Sequence, residues 1–473
     1  MSFDVVFRDA IVVDGTGTSR FVADVAVEGD RVQELGTVTG RAKVEIDASG
    51  LVLAPGFIDV HTHDDFALEA SPKMAFKTLQ GVTTVVTGNC GTSAPDFSKW
   101  MNNRRESPAA VNVAALIGHG TVRESVIGRS MNRSATTSEM LVMRDEIRKA
   151  FDAGAVGMST GLVYEPGRYS PAEEIVELAR LVSERRGIYT SHMRNEHDCL
   201  VESVQETIRV GRETGVKVQV SHLKAIGTQN APLAALAVNE IRKARDSGVD
   251  VMADQYPYSR GSTALDQLVS ADSFRSSTNF GLISPSAVMV ASAPRNPAWE
   301  GRSLDVIAVD LGLNAAETAE LIVEREGRGC MVVVANQTEE NIALILKEDF
   351  VMIGSDGIPG GSKPHPRLHH TFPRVLGEYT RNRGIVPLEI AIHKMTGMSA
   401  ERFGLKHRGV IAPNAFADLV LFDFDKIIDT GTYENPTIAP DGIVGVWVNG
   451  ARIVEGTHTT ERLPGRVLSH LGN

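Results

Sequence analysis

Two histidines one residue apart, His61 and His63 in the run GFIDVHTHDD, are where the chemistry of this chain starts. Phe57, Ile58 and Val60 read as a short buried strand with both histidines at its C-terminal end. Alternate residues of an extended chain point to one side, so the two imidazoles project together. Imidazole is a good ligand for zinc-type metals, and the pair makes half a site on very little chain. Alone, an HxH is weak, and two ordinary polar histidines at a strand end would look the same. Its company strengthens it: Cys90 in GNCG, His192 in SHMRNE, His222 in SHLK and Asp356 in GSDG each close a β-rich run. Any one of them has a bland reading, as a satisfied histidine or a small buried thiol. All of them falling at strand ends by chance does not.

Cys90 as a thiolate, with His192 and His222, makes a Cys-His-His set suited to zinc, with the fourth position left to water. Zinc lowers the pKa of such a water toward neutrality and polarises a carbonyl. Asp356 is then the expected proton acceptor, handing a proton later to the leaving group. His61 and His63 either hold a second, looser metal, with Asp356 or the Cys90 sulfur as a further ligand, or hydrogen-bond the attacking hydroxide. One tight zinc is expected, and a weak second one stays open. Cys199 and Cys330 lack this context, His119 at the end of a third strand is a candidate support, and the other histidines, His365 and His470 among them, receive no role. No Ser-His-Asp triad, phosphate loop or dinucleotide fingerprint is present.

The elements that must position these residues follow from period. From Gly154 onward an amphipathic helix, a glycine and a β-rich run recur at spacings of about 28 to 33 residues, as βα units require. The helix read over 171–186 has Ser170 as N-cap, Pro171 at N1 and Glu173 in a capping box, with Gly187 ending it. Eight strand candidates emerge: IDVHTH, TTVVTGNC, NVAALIGHG, AVGMSTGL, IYTSHMR, VQVSHLK, VMADQYPY and VMIGSDG. Most are apolar on both faces and alternate with helices, which predicts an α/β (β/α)8 TIM barrel whose C-terminal strand ends share one face. The catalytic barrel is expected over 56–407. About 90 residues separate the seventh and eighth strands, far beyond an ordinary βα connection, so an inserted lid subdomain is expected at about 259–349. Residues 1–55 and 408–473 alternate apolar and polar residues between turn signals, Glu28-Gly29-Asp30 and Asn449-Gly450 among them. They predict one small β-sandwich domain built from both ends.

At 473 residues, 42% hydrophobic and 23% charged, the chain has the composition of a soluble globular protein with room for more than one domain. A net charge of −11 without basic patches argues against nucleic acid or an anionic membrane as partner. No apolar run approaches membrane-span length, and Phe3 to Asp9 leads straight into strand-like sequence rather than a leader. Three cysteines are too few for a disulfide scaffold, so a reducing cytoplasm is the expected compartment. Oligomeric state is not readable.

With these residues in hand, the chain resembles the N-acyl-D-amino-acid deacylases (D-aminoacylases) of the amidohydrolase superfamily. The resemblance runs nearly end to end, through PGFIDVHTHDD, GVTTVVTGNCG, GMSTGLVYEPGRYS, SHMRNE, VSHLKAIG, DQYPYSRGST, GSDGIPG and PHPRLHHTFPRVLGEY. Many dinuclear relatives bridge two metals with a carboxylated lysine from strand four, and here strand four reads GMSTG with no lysine. The resemblance implies a tight zinc on Cys90, His192 and His222, a weaker site at His61 and His63, and Asp356 as the catalytic aspartate. It also implies substrate-carboxylate recognition by Lys224, Tyr256 and Ser262, and substrate binding by Arg367. Arg260 and Gly360 depart from the expected pattern and bear on side-chain preference. The expected partner is a small-molecule N-acyl amino acid. A cyclic amide hydrolase or ring aminohydrolase of the same superfamily is the nearer rival, and a metal-free binding or assembly relative the more distant one.

Overall fold

The computed structural model describes residues 2–275 and 283–469, and it contains the barrel that the sequence pattern implies. Its strands are β1 (Phe57–Asp59), β2 (Val82–Thr87), β3 (Asn112–Gly118), β4 (Gly157–Gly161), β5 (Ile188–His192), β6 (Lys217–Val220), β7 (Val251–Gln255) and β8 (Val351–Ile353). Each pairs in parallel with the next, and a parallel bridge between Thr62 and Gly357 brings β1 and β8 together just beyond their ends. β2, β3, β4 and β5 are buried along their whole length, as strands covered on both faces must be. A buried cation ties the β1–β8 seam: Lys77 Nζ lies 2.7 Å from Asp59 Oδ2, 2.8 Å from Ser355 Oγ and 3.5 Å from Asp64 Oδ2.

The helix after β4 is Ala172–Glu184, and its N-cap is Pro171 rather than Ser170. The Ser170 hydroxyl instead donates to the Gly167 carbonyl, closing the preceding turn, so no capping box forms with Glu173. At the other end Arg186, not Gly187, takes the left-handed backbone (φ 56°). Gly187 is needed for room, since a Cβ there would stand 2.6 Å from the Phe151 ring.

Strands from both chain ends form one nine-stranded mixed sheet, joined where Val52–Pro55 pairs antiparallel with Leu419–Phe422. Two of its two-residue turns fall at Gly29-Asp30 and at Asn449-Gly450, the latter with φ of 47° and 77°, both positive as a type I′ turn demands. Between β7 and β8 a three-stranded antiparallel sheet (Arg260–Ala264, Met331–Ala335, Val288–Ser292) has its own apolar core with Leu268, Leu304 and Ile322. Val163 and Tyr164, just past β4, pack into that core and fix this insert over the barrel mouth. Residues 276–282 of the insert, and His470, lie outside the described residues.

Candidate active site

The six metal-competent side chains converge at the C-terminal ends of the barrel strands. Cys90 Sγ lies 3.2 Å from His61 Nε2 and 3.6 Å from His222 Nε2. His222 Nε2 is in turn 2.8 Å from His192 Nδ1. On the other side Asp356 Oδ1 is 3.5 Å from His61 Nε2 and 3.0 Å from His63 Nε2. The donor atoms of His61, Cys90, His222 and Asp356 lie within 4.8 Å of one another, all buried. A thiol, imidazole nitrogens and a carboxylate aimed at one small volume are the donor set of a zinc-type ion, and these residues fit one.

Backbone strain places them. Cys90, His222 and Asp356 have φ of 53°, 35° and 50°, left-handed conformations that side chains other than glycine rarely adopt. β4 supplies no ligand but holds the cysteine loop. Ser159 Oγ accepts the Gly91 N–H at 3.0 Å and donates to the Gly88 carbonyl. A Cβ on Gly161 would sit 2.2 Å from the Cys90 carbonyl oxygen, so glycine on β4 permits the close approach.

The electrostatics favour a charged cluster. Burial pushes the Cys90 thiol up, but His61, His192 and His222 hold it well below its usual range, as a thiolate. Burial pushes the His63 imidazole down, and hydrogen bonding to Asp356 and Cys90 lifts it to about 9. Burial likewise raises Asp356, while Arg367 and His63 hold it far below the ordinary carboxylate range. Arg367 Nη1 is 2.9 Å from Asp356 Oδ2, close as an ion pair but not aligned as a hydrogen bond.

The residues assigned to substrate gather on the same cavity, about 350 Å³, bordered by His63, Cys90, His192, His222 and Asp356 at one end. The Arg367 guanidinium lies 4.5 Å over the Tyr256 ring and Nη2 donates to the Ser262 carbonyl at 3.3 Å. Lys224 is buried, its ammonium 2.6 Å from Glu196 Oε1. His61 is fully buried behind this surface.

Four residues of this site carry no signal of their own in the sequence reading. Asp254, on β7, stands 3.0 Å from His61 Nδ1 and accepts the His222 N–H at 2.8 Å. Glu196 faces His192, His222 and Lys224. Asn336 donates to Tyr256 Oη at 2.9 Å. His365 accepts the Arg367 N–H on Nδ1 and turns Nε2 to the Arg260 carbonyl, each at 3.0 Å. Glu196 and Asp254 sit inside SHMRNE and VMADQ, one turn after or just before a strand end, and that position was the available clue. His119 bonds Glu174 at 2.9 Å rather than any ligand.

A buried thiolate–imidazole–carboxylate cluster at the mouth of a (β/α)8 barrel defines a metal-dependent barrel hydrolase. Within that class the chain belongs to the Amidohydrolase family, whose model matches residues 44–257 and 306–454, leaving out the first part of the insert. It is 39% identical to a D-aminoacylase of Alcaligenes xylosoxydans xylosoxydans, over 99% of this chain and 98% of that one. It is similar to a crystal structure of N-acyl-D-glutamate deacylase from Bordetella bronchiseptica, complexed with zinc and a phosphonate mimic of the tetrahedral intermediate. That likeness has a TM-score of 0.92 and 35% identity over 99% of this chain and 100% of the other. A D-aminoacylase structure with a binuclear metal centre, described by one-metal activation and second-metal attenuation, matches with a TM-score of 0.90 and 37% identity, over 99% of this chain and all of that one.

Proposed function

We propose that this chain hydrolyses the linear amide of N-acyl-D-amino acids to a carboxylate and a free D-amino acid, and that apolar side chains serve it better than acidic ones. The observation that carries the reaction is one cavity joining the thiolate–imidazole cluster to the cations Arg367 and Lys224. Zinc held by Cys90, His192 and His222 would polarise the scissile carbonyl and bring the pKa of water toward neutrality. Asp356, kept ionised by Arg367 and His63, is placed to accept a proton from the attacking water on Oδ1 and to return one to the leaving nitrogen. Arg367 and Lys224 flank Tyr256 and offer positive charge to the α-carboxylate. The D preference rests on the relatives named D-aminoacylase and N-acyl-D-glutamate deacylase, and the zinc on the latter's complex.

The side-chain preference follows from what borders the cavity. Gly261 and Ser262 lie on an insert strand whose register partners include Val334 and Met331, and Leu268, Ile283 and Ile358 continue the apolar wall. A side chain on the Cα next to the α-carboxylate would face that wall. The remaining cation among the described bordering residues, Arg129, already lies 3.4 Å from Asp266 and 3.9 Å from Glu124, with Glu165 on the same lining. A second substrate carboxylate there would shed water against an apolar wall, beside the Glu165 carboxylate.

Zinc-loaded protein should be assayed on matched N-acetyl D- and L-leucine, methionine and glutamate. The D compounds should turn over, with D-leucine and D-methionine ahead of D-glutamate by roughly tenfold or more in kcat/KM. Turnover of hydantoin in place of all of them would overturn the reaction, and faster D-glutamate would overturn the side-chain preference.

A further inference from the structure

We infer that Glu196 is a positioning residue of the metal site: one carboxylate that orients both histidines of the tight zinc and pins Lys224. A neutral imidazole offers a lone pair on one nitrogen and a proton on the other, so whatever accepts that proton decides which nitrogen can bind metal. His222 Nε2 and His192 Nδ1 are the nitrogens facing each other at 2.8 Å, with Cys90 Sγ 3.6 Å from the former. Their opposite nitrogens both face Glu196: His222 Nδ1 lies 3.0 Å from Oε1, and His192 Nε2 lies 3.4 Å from Oε2. His192 Nε2 is buried and makes no hydrogen bond, so Oε2 is the nearest acceptor waiting for its proton. Glu196, His192 and His222 lie close enough to hold an ion between them, but the Cys90 sulfur faces the inner nitrogens, which leaves Glu196 behind the rings.

The same Oε1 accepts from Lys224 Nζ at 2.6 Å. Lys224 Nζ is also 2.9 Å from His222 Nδ1; in the tautomer that frees Nε2 for metal, Nδ1 carries the proton and the two become donors sharing Oε1. The backbone holds this carboxylate in place. Asn195 Oδ1 accepts the His197 N–H at 2.8 Å and the Cys199 N–H at 3.1 Å, folding the segment after β5 into a tight turn. The Ile226 N–H donates to the Glu196 carbonyl at 2.7 Å, locking this turn to the loop after β6. Metal ligation and carboxylate recognition thus share one anchor.

This inference rests on the metal reading of the site but not on which amide is cleaved. Glu196→Gln and Glu196→Asp should be dialysed against graded chelator, with zinc measured by elemental analysis and the cobalt-substituted forms by absorption. Zinc should bind roughly 10- to 100-fold more weakly while still reaching one per chain at saturation. The thiolate-to-cobalt band should shift, and KM for substrates with an α-carboxylate should rise. A role in folding alone would leave the cobalt band of the folded variant unchanged. Should Glu196→Gln not fold, Glu196→Asp carries the comparison. Zinc affinity within about twofold of the parent, with an unshifted cobalt band, would overturn the inference, as would loss of the zinc even at saturation.

Discussion

In the proposed mechanism Asp356 is the proton acceptor, and Arg367 and His63 hold its carboxyl well below the ordinary carboxylate range. Asp356→Asn preserves shape and hydrogen bonding but removes the base. The kcat should fall by roughly 10²–10⁴ with the tight zinc retained, and near-normal kcat in purified variant would remove Asp356 from the mechanism. At this scale the chemistry-bearing residue types were readable because a strand end projects them in register. Lys224 was readable through the family resemblance and as a cation two residues past His222. Its burial against Glu196 depends on a turn between β5 and the following helix, and turns of that kind leave no periodic pattern. The unusual φ values of Cys90, His222 and Asp356 were equally hidden, since none is glycine.

Among the elements, the seam between β1 and β8 is the place where the barrel depends on a charge. Burial pulls the Lys77 pKa down, but Asp59 and Asp64 pull it up further, and the net shift is upward. A raised lysine pKa means that the ion pair contributes fully below the ordinary value, 10.5, and is lost only as pH climbs past the folded value. Lys77→Met leaves two buried carboxylates without their cation and should destabilise by about 3–5 kcal/mol at neutral pH. Urea unfolding measures this, and a loss under about 1 kcal/mol would show the seam to be held by packing instead. The eight barrel strands were visible from the sequence because each is a short apolar run bounded by a helix and a turn. The insert's three strands were not, because Arg260–Ala264 pairs with Met331–Ala335 across a long stretch of helices and loops. Local pattern carries no record of such a partner.

For the molecule as a whole, the barrel carries the cysteine, histidine and aspartate cluster, the insert supplies the apolar wall, and the cavity lies where the two meet. No described helix is long and apolar enough to cross a membrane. The proposed metal centre divides into a tight half and a loose half. Cys90, His192 and His222 come from three strands and include a thiolate, the softest donor present, so they should hold zinc tightly. His61 and His63 offer two imidazole nitrogens, and their further ligand would be Asp356, already paired with Arg367, or a shared Cys90 sulfur. Elemental analysis of dialysed protein, beside Cys90→Ala and His61→Asn prepared the same way, tests this most directly. About one zinc per chain is expected in the parent. Cys90→Ala should lose both that zinc and all activity, and His61→Asn should keep most of the zinc while activity drops. A His61→Asn protein emptied of zinc, beside a Cys90→Ala protein that keeps it, would put the tight site on β1 and contradict the account.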